Sequence, residues 1–307
     1  MNEPNKIKRG VDLELQIESL AYGGMGLARK DDFVIFVKGG IPGQKVNARI
    51  YKKKKGYAEA RVQKVLVESP HAVTAPCEHF GTCGGCKYQN LSYDEQLKEK
   101  SNQVEDAFRR LGGFSDFKLD DVVGADPVFN YRNKMEFTFS PNRWVLDTEP
   151  EGVDKSFAVG LHIPGRWDKI LDINECHIQP VIGNKIMKVA REVCLAHSDL
   201  KPYDPKTHIG FLRFLMLRFG VNTNQIMVNL VTAYDDLNKL SPLIDALLEQ
   251  VPEITSMVNN VNTRKADVAF GEFETLVFGE PFIQETMGDL TFEISANSFF
   301  QTNTIQG

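Results

Sequence analysis

The chain has 307 residues and a net charge of −5, with 42% hydrophobic and 25% charged residues. This composition is typical of a globular protein and excludes a disordered one, while the length predicts two or three domains. No stretch approaches the ~18 consecutive apolar residues of a membrane helix, and the first residues lack the apolar core of a signal peptide. We therefore expect a cytoplasmic protein with no membrane partner.

Positive charge is concentrated near the start of the chain. Residues 1–65 hold 14 Lys and Arg against 7 Asp and Glu, whereas the remaining residues hold 22 against 34. A basic segment joined to an acidic body predicts a polyanionic partner for that first segment.

Residues 12–65 predict a small closed β-barrel. Short stretches of alternating apolar and polar residues lie between glycine-rich turns, as in Leu13, Leu15 and Ile17 before the turn at 23–26. About five strands of this length and spacing fit a barrel better than any helical fold.

Lysines and tyrosines on this barrel predict RNA binding. The run Lys52–Lys55 lies at a strand end between Tyr51 and Tyr57, and Lys45 and Arg49 share one face of the same strand. Lysines can neutralise phosphates while tyrosine rings stack on bases. The alternative is an ordinary solvated hairpin tip.

The cysteines predict a metal site in a reducing compartment. Cys77, Cys83 and Cys86 are spaced C-x5-C-x2-C with glycines between them, and Cys176 would complete a set of four thiolates. Such a set suits either a structural zinc or a [4Fe–4S] cluster. Cys194 follows helically spaced apolar residues, which predicts a buried, inert thiol rather than a nucleophile.

The remaining chain predicts helices between strands. Ser92 and Glu95 form a capping-box pattern before a helix over 93–111, whose apolar face carries Leu97, Val104, Phe108 and Leu111. Further on, Ser241 and Pro242 stand in the order typical of a helix start, cap and then first-turn proline.

The order of motifs allows a family to be named. The chain carries YGGMGLAR, GGIPGQ, CGGCKYQ, YRNKMEF, VGLHIPGRWDKILDINEC and SANSFFQTN in succession. This resembles the S-adenosylmethionine-dependent RNA 5-methyluridine methyltransferases that have an N-terminal TRAM domain and a [4Fe–4S] cluster. The resemblance is to enzymes of 23S rRNA more than to those of tRNA, so we expect 23S rRNA as the partner of a monomeric protein.

The resemblance implies a multidomain α+β fold in three parts. An OB-like β-barrel, the TRAM domain, would cover residues 5–68. A β-rich central domain with the iron–sulfur site would cover 69–92 and 114–294. The helix at 93–113 and the segment 295–307 would belong to the start of a Rossmann-like methyltransferase domain.

Expected site residues follow from the motifs and the charge pattern. The resemblance implies that Gln301 contacts S-adenosylmethionine, and with it we favour one [4Fe–4S] cluster on Cys77, Cys83, Cys86 and Cys176. We expect RNA contacts from Lys45, Arg49, Lys52, Lys53, Lys54, Lys55, Arg132 and Lys134.

One departure from the family limits the expected activity. In the family, SFFQTN precedes a glycine-rich cofactor loop, a nucleophilic cysteine and a carboxylate base. This sequence ends at Gly307, contains no G-x-G-x-x-G, and has no cysteine beyond Cys194. We therefore expect the N-terminal portion of such an enzyme, with no catalytic residue and no activity by itself. The alternatives are a stand-alone RNA-binding module with a structural metal and, less in keeping with the barrel, an iron–sulfur electron carrier.

Overall fold

A computed structural model describes residues 7–266 and 268–307. Contacts divide the chain into two compact units, one formed by the described residues up to Gly81 with Cys86–Gly124, the other by Thr82–Gly85 with Ala125–Gly307. Within the described ranges, no helix is both long and apolar enough to span a membrane.

The first unit contains a six-stranded β-barrel. Its strands are β1 (Asp12–Gln16), β2 (Ser19–Leu20), β3 (Gly26–Lys30), β4 (Phe33–Lys38), β5 (Lys45–Lys53) and β6 (Tyr57–Val67), in the order β1-β5-β6-β4-β3-β2. Because β1 and β2 are consecutive stretches of one segment, pairing β1 with β5 and β2 with β3 closes the sheet. The predicted barrel is confirmed, although residues 5 and 6 of its expected range lie outside the described residues.

Alternation along the strands produces the barrel core. The inward side chains are buried and small or branched: Leu13, Leu15, Ile17, Ala28, Ile35, Val37, Val46, Ala48, Ile50, Ala58 and Ala60. The turn into β3 requires glycine, since a Cβ at Gly26 would lie 2.8 Å from the carbonyl oxygen of Gly40. The outward side chains of these strands include charged residues and the aromatic residues Phe36, Tyr51 and Tyr57.

Helix α1 (Tyr93–Asp106) belongs to the same unit and continues as a π-helix over Ala107–Leu111. The Glu99 carboxylate accepts a hydrogen bond from the Leu20 N–H, and Gln103 Nε2 donates to the Leu20 carbonyl at 3.0 Å. These bonds satisfy the backbone N–H and carbonyl of Leu20 on the short strand β2. Residues 93–113 thus group with the barrel, in contrast to their predicted place in a separate methyltransferase domain.

The second unit is built on an eight-stranded sheet in the order β14-β13-β12-β11-β7-β9-β10-β8. The strands are β7 (Lys134–Ser140), β8 (Arg143–Trp144), β9 (Ala158–Ile163), β10 (Arg166–Asp172), β11 (Leu212–Gly220), β12 (Gln225–Thr232), β13 (Ser256–Val261) and β14 (Phe273–Gly279). Helices α2 (Val181–Ala196) and α3 (Leu237–Gln250) share one apolar core with this sheet. Together, the helices and strands fit the predicted α+β class.

A hairpin and a short final turn complete the second unit. The hairpin joins β15 (Phe282–Met287) to β16 (Leu290–Ser295), and Thr304–Gln306 form one 3₁₀ turn. The buried Arg218 donates to the carbonyls of Ala296 and Ser298. The segment 295–307 therefore groups with the sheet, whereas the sequence assigned it to the start of a Rossmann-like domain. The predicted boundaries at 69–92 and 114–294 also differ from these units, because 69–81 and 114–124 group with the barrel.

Candidate nucleic-acid interface

Three cations form a row across the outer face of the barrel. Arg49 on β5 lies opposite Arg61 on β6, and Arg61 lies opposite Lys38 on β4. All three are exposed, and the residue before each of them in its strand (Ala48, Ala60 and Val37) is buried. Like charges directly opposite each other on a sheet destabilise it. An anion bound across this row would relieve the repulsion between the three cations.

The row is only partly neutralised by the protein. Arg49 makes a two-pronged contact with Asp12, at 2.7 and 2.9 Å. In the described part of the chain, neither Arg61 nor Lys38 is in an ion pair with a carboxylate. The free positive charge of the face therefore lies at Arg61 and Lys38, two residues that the sequence reasoning missed. Their alternation with Ala60 and Val37, the same signal that selected Arg49, could have identified them.

Aromatic rings border this row. Tyr51 and Phe36 lie two residues along their strands from Arg49 and Lys38, on the same outer face, and the rings of Phe36 and Tyr57 meet edge to face with centroids 5.6 Å apart. Burial and the nearby Glu59 carboxylate raise the pKa of Tyr51, so its ring stays uncharged. Cations beside flat, neutral rings are the surface chemistry used to bind phosphates and stack bases.

The predicted lysine run lies at the tip of the β5–β6 hairpin, with all four side chains exposed. Lys52 pairs with Glu59, and Lys53 Nζ lies 5.7 Å from the centre of the Phe33 ring. Lys45 is likewise paired, 2.8 Å from Glu14. Lys54 and Lys55 are in no ion pair within the described residues. Their role in RNA binding, like that of the other predicted contacts, stays a prediction.

Arg132 and Lys134 belong to the second unit. Arg132 Nε donates to the Lys134 carbonyl at 3.0 Å, and the Lys134 side chain pairs with Glu136. Both side chains are half-buried. Both are thus engaged in local contacts, unlike Arg61 and Lys38 of the barrel, which are in no ion pair within the described residues.

The segment around Gln301 is held by a buried polar cluster. Asn133 Nδ2 donates to the Gln301 carbonyl at 2.6 Å and to Thr304 Oγ1 at 2.8 Å. Thr304 Oγ1 in turn donates to Glu285 at 3.1 Å, and that fully buried carboxylate accepts the N–H groups of Val221 and Asn222. The Gln301 backbone is therefore fixed while its side chain remains exposed.

None of the five cysteines, all of which lie within the described residues, is in a disulfide bond. In the first unit, burial raises the pKa of Cys77, and the nearby Cys86 also contributes to the rise. In the second unit, Cys83 packs against the apolar core that includes Cys176, and the Gly85 N–H donates to Cys83 Sγ at 3.3 Å. A Cβ at Gly84 would lie 2.7 Å from the His162 carbonyl oxygen, so this loop requires glycine there.

The donor chemistry of these thiols fits zinc or iron. However, among the described residues no three Cys, His, Asp or Glu side chains are grouped so as to hold a metal ion. The cluster assignment therefore rests on sequence spacing and resemblance.

Comparisons with known proteins give these features a context. Residues 6–68 match the family model of the TRAM domain. The chain is 39% identical to an uncharacterized RNA methyltransferase of Chlorobaculum tepidum, over 98% of the chain and 64% of that relative. A second such protein, from Porphyromonas gingivalis, is 38% identical over 95% of the chain and 64% of its own length.

A solved structure is similar over nearly the whole chain. It is the crystal structure of the Pyrococcus abyssi tRNA (uracil-54, C5)-methyltransferase in complex with S-adenosyl-L-homocysteine, with a TM-score of 0.70 and 28% identity. The match covers 95% of this chain and 62% of that structure. The chain thus spans 62–64% of the length of these relatives. The chain therefore contains a TRAM domain, and beyond it the sequence is similar to proteins that are named RNA methyltransferases.

Proposed function

We propose that this chain recognises RNA through the outer face of its barrel and serves an S-adenosylmethionine-dependent RNA (uracil-C5) methyltransferase. The observation that carries the proposal is the cross-strand row of Arg49, Arg61 and Lys38 on a TRAM barrel. Two of these cations have no carboxylate partner among the described residues, and aromatic rings border them. Phosphates and unpaired bases are the ligands that match this pattern.

The methyl-transfer part of the proposal is supported by the relatives' names and by the cofactor product bound to the similar structure. S-adenosylmethionine would supply the methyl group, and Gln301 would offer it one side-chain amide from a backbone held by Asn133. One hydrogen bond contributes only about 1 kcal/mol, whereas micromolar binding needs roughly 8 kcal/mol. We therefore expect Gln301 to supply only a small part of the cofactor affinity, so that Gln301→Ala should weaken S-adenosylmethionine binding by no more than about tenfold.

Binding of RNA is tested with a double variant, Lys38→Ala with Arg61→Ala. Phosphate contacts position RNA without reading its sequence, so affinity should fall by a similar factor, about tenfold or more, for unrelated RNAs. The matched control is Lys188→Ala, an exposed cation on α2 that faces Glu192 at 3.9 Å. Equal affinities of the double variant and the wild type, measured by fluorescence anisotropy, would contradict the proposal.

The RNA target we propose is 23S rRNA, with tRNA as the second candidate because the similar solved structure is a tRNA enzyme. Ultraviolet crosslinking of the chain in cells, followed by sequencing of the attached RNA, separates the two. Enrichment of one 23S rRNA site is the expected result. Enrichment of tRNA would overturn the ribosomal assignment and leave RNA recognition intact.

We also propose that Cys77, Cys83, Cys86 and Cys176 together ligate one [4Fe–4S] cluster. Anaerobically purified protein should contain about four iron atoms and four sulfides per chain, because four thiolates complete this cluster. Replacing Cys176 with Ser should lower the iron content, whereas replacing the buried Cys194 should not. One zinc per chain would contradict the cluster, and a wild-type protein without metal would contradict the site.

A further inference from the structure

The tip of the β9–β10 hairpin presents an exposed tryptophan. The chain turns at Gly165, where φ is +80°, and the pairing of β10 with β9 is irregular between Arg166 and Ile170. Trp167 lies in this irregular stretch with 63% of its surface exposed. The only other tryptophan of the chain, Trp144, is half-buried.

Two cations lie over these rings. Lys206 Nζ is 5.6 Å from the centre of the Trp167 ring, and the Arg166 guanidinium is 5.8 Å from that of Trp144. Both cations bind Asp168, with Arg166 Nε at 3.0 Å and Lys206 Nζ at 2.8 Å from its carboxylate oxygens. They hold the pKa of Asp168 well below its usual range. Asp168 thereby fixes both cations near the hairpin tip, and the three groups together carry one net positive charge.

This arrangement has the chemistry of a stacking platform. An exposed indole offers a flat surface to any base, and neighbouring ammonium or guanidinium groups can neutralise the adjoining phosphates. Lys206 lies over the ring without covering it, since most of the side chain remains exposed. A flat apolar ring beside fixed positive charge is complementary to an unpaired nucleotide.

We infer that Trp167 stacks on an unpaired RNA base while Lys206 and Arg166 contact its phosphates. The hairpin tip is then an RNA-contact surface in the second unit, additional to the barrel face. The inference rests on the proposed function, because it takes RNA as the ligand. Stacking of this kind tolerates every base, so the surface adds affinity without reading sequence.

The first experiment uses Trp167 as its own reporter. In a Trp144→Phe variant, Trp167 is the only tryptophan, and titration with uridine or adenosine 12-mers should quench its emission as a base stacks on the ring. The matched control is Trp167→Phe, in which Trp144 alone should respond little. Unchanged Trp167 emission at RNA concentrations that saturate binding by anisotropy would overturn the inference.

The second experiment measures affinity. Trp167→Ala should weaken binding about 5- to 100-fold, the range expected for losing one stacked base, whereas Trp167→Phe should stay within about threefold because the ring is kept. Phe273→Ala, at a position 67% exposed on β14, should bind like the wild type. Lys206→Met should lower the salt dependence of binding by roughly one phosphate contact.

The outcomes separate this inference from the proposed function. Suppose that Trp167→Ala binds RNA as tightly as the wild type while the barrel double variant loses binding. This result would overturn the stacking platform and leave the barrel proposal standing. A smaller sedimentation coefficient of RNA-free Trp167→Ala would identify a second copy as the occupant and would also overturn it. Failure of the wild-type chain to bind any RNA would overturn the proposed function, and this inference with it.

Discussion

The thiol of Cys194 lies on α2, 6% exposed, among the apolar side chains of the second unit's core. Burial raises its pKa to about 12, so at pH 8 almost all of it is the protonated, unreactive form. The predicted burial of Cys194 is confirmed, while its low reactivity stays a prediction that the raised pKa supports.

A direct consequence is slow alkylation. With iodoacetamide at pH 8, folded protein should retain unmodified Cys194 for hours, because both its low thiolate fraction and its burial oppose the reaction. The same cysteine should react completely in concentrated guanidinium chloride, which serves as the control. Rapid modification in the folded protein, detected by peptide mass spectrometry, would show that the site opens or that its pKa is not raised.

The start of α3 shows why helix boundaries are hard to predict from sequence. Ser241 and Pro242 match the pattern of a cap and a first-turn proline, yet the helix begins at Leu237 and is capped by Asp236, which accepts the Lys239 N–H at 3.0 Å. Pro242 cannot donate to the Asn238 carbonyl four residues earlier. The Ser241 hydroxyl donates to that carbonyl instead, at 2.9 Å. A Ser-Pro pair inside a helix, where the serine hydroxyl replaces the missing backbone N–H, has the same sequence pattern as a Ser-Pro pair at a helix start.

Among the elements, α1 differs most from its predicted surroundings. Its existence was predictable from helical spacing, but Glu95 and Glu99 are its buried residues, whereas Val104, Phe108 and Leu111 on the expected apolar face are exposed, Leu111 by 88%. The capping box is also wrong in detail, because the Ser92 side chain makes no capping hydrogen bond. The reason for Glu99 is tertiary, because its carboxylate accepts the N–H of Leu20 on β2; Glu95 instead pairs with Lys98 on the same helix.

The contact between Glu99 and Leu20 should therefore stabilise the first unit. Glu99→Ala leaves the buried Leu20 N–H without its acceptor, at a cost of about 1–3 kcal/mol in the free energy of unfolding. Glu105→Ala is the control on the same helix, since Glu105 pairs only with Arg109 in a solvent-exposed contact; its effect should stay within about 0.5 kcal/mol. Urea unfolding followed by circular dichroism checks both, and equal stabilities of the two variants would contradict the role of Glu99.

At the scale of the whole molecule, local patterns were predictable and long-range partners were not. Strand alternation identified the barrel and could place Arg49, Arg61 and Lys38 on its outer face. That these three lie opposite one another depends on the pairing of β5 with β6 and of β4 with β6, which no single strand specifies. Likewise, the cluster that holds the Gln301 backbone joins Asn133, Glu285 and Thr304 from distant parts of the chain. The sequence motifs included some of these residues but did not predict the hydrogen bonds between them.

The central claim is that the basic face of the barrel binds the RNA backbone, and the dependence of affinity on salt tests it most directly. A plot of log K against log salt should have a steep negative slope for the wild-type chain, since each phosphate contact on single-stranded RNA contributes about −0.7. Replacing Lys38 and Arg61, or Lys52 to Lys55, with alanine should flatten this slope by roughly one such contribution per cation that binds phosphate, for every RNA sequence tested. A slope that is unchanged in both variants, or near zero in the wild type, would contradict the account.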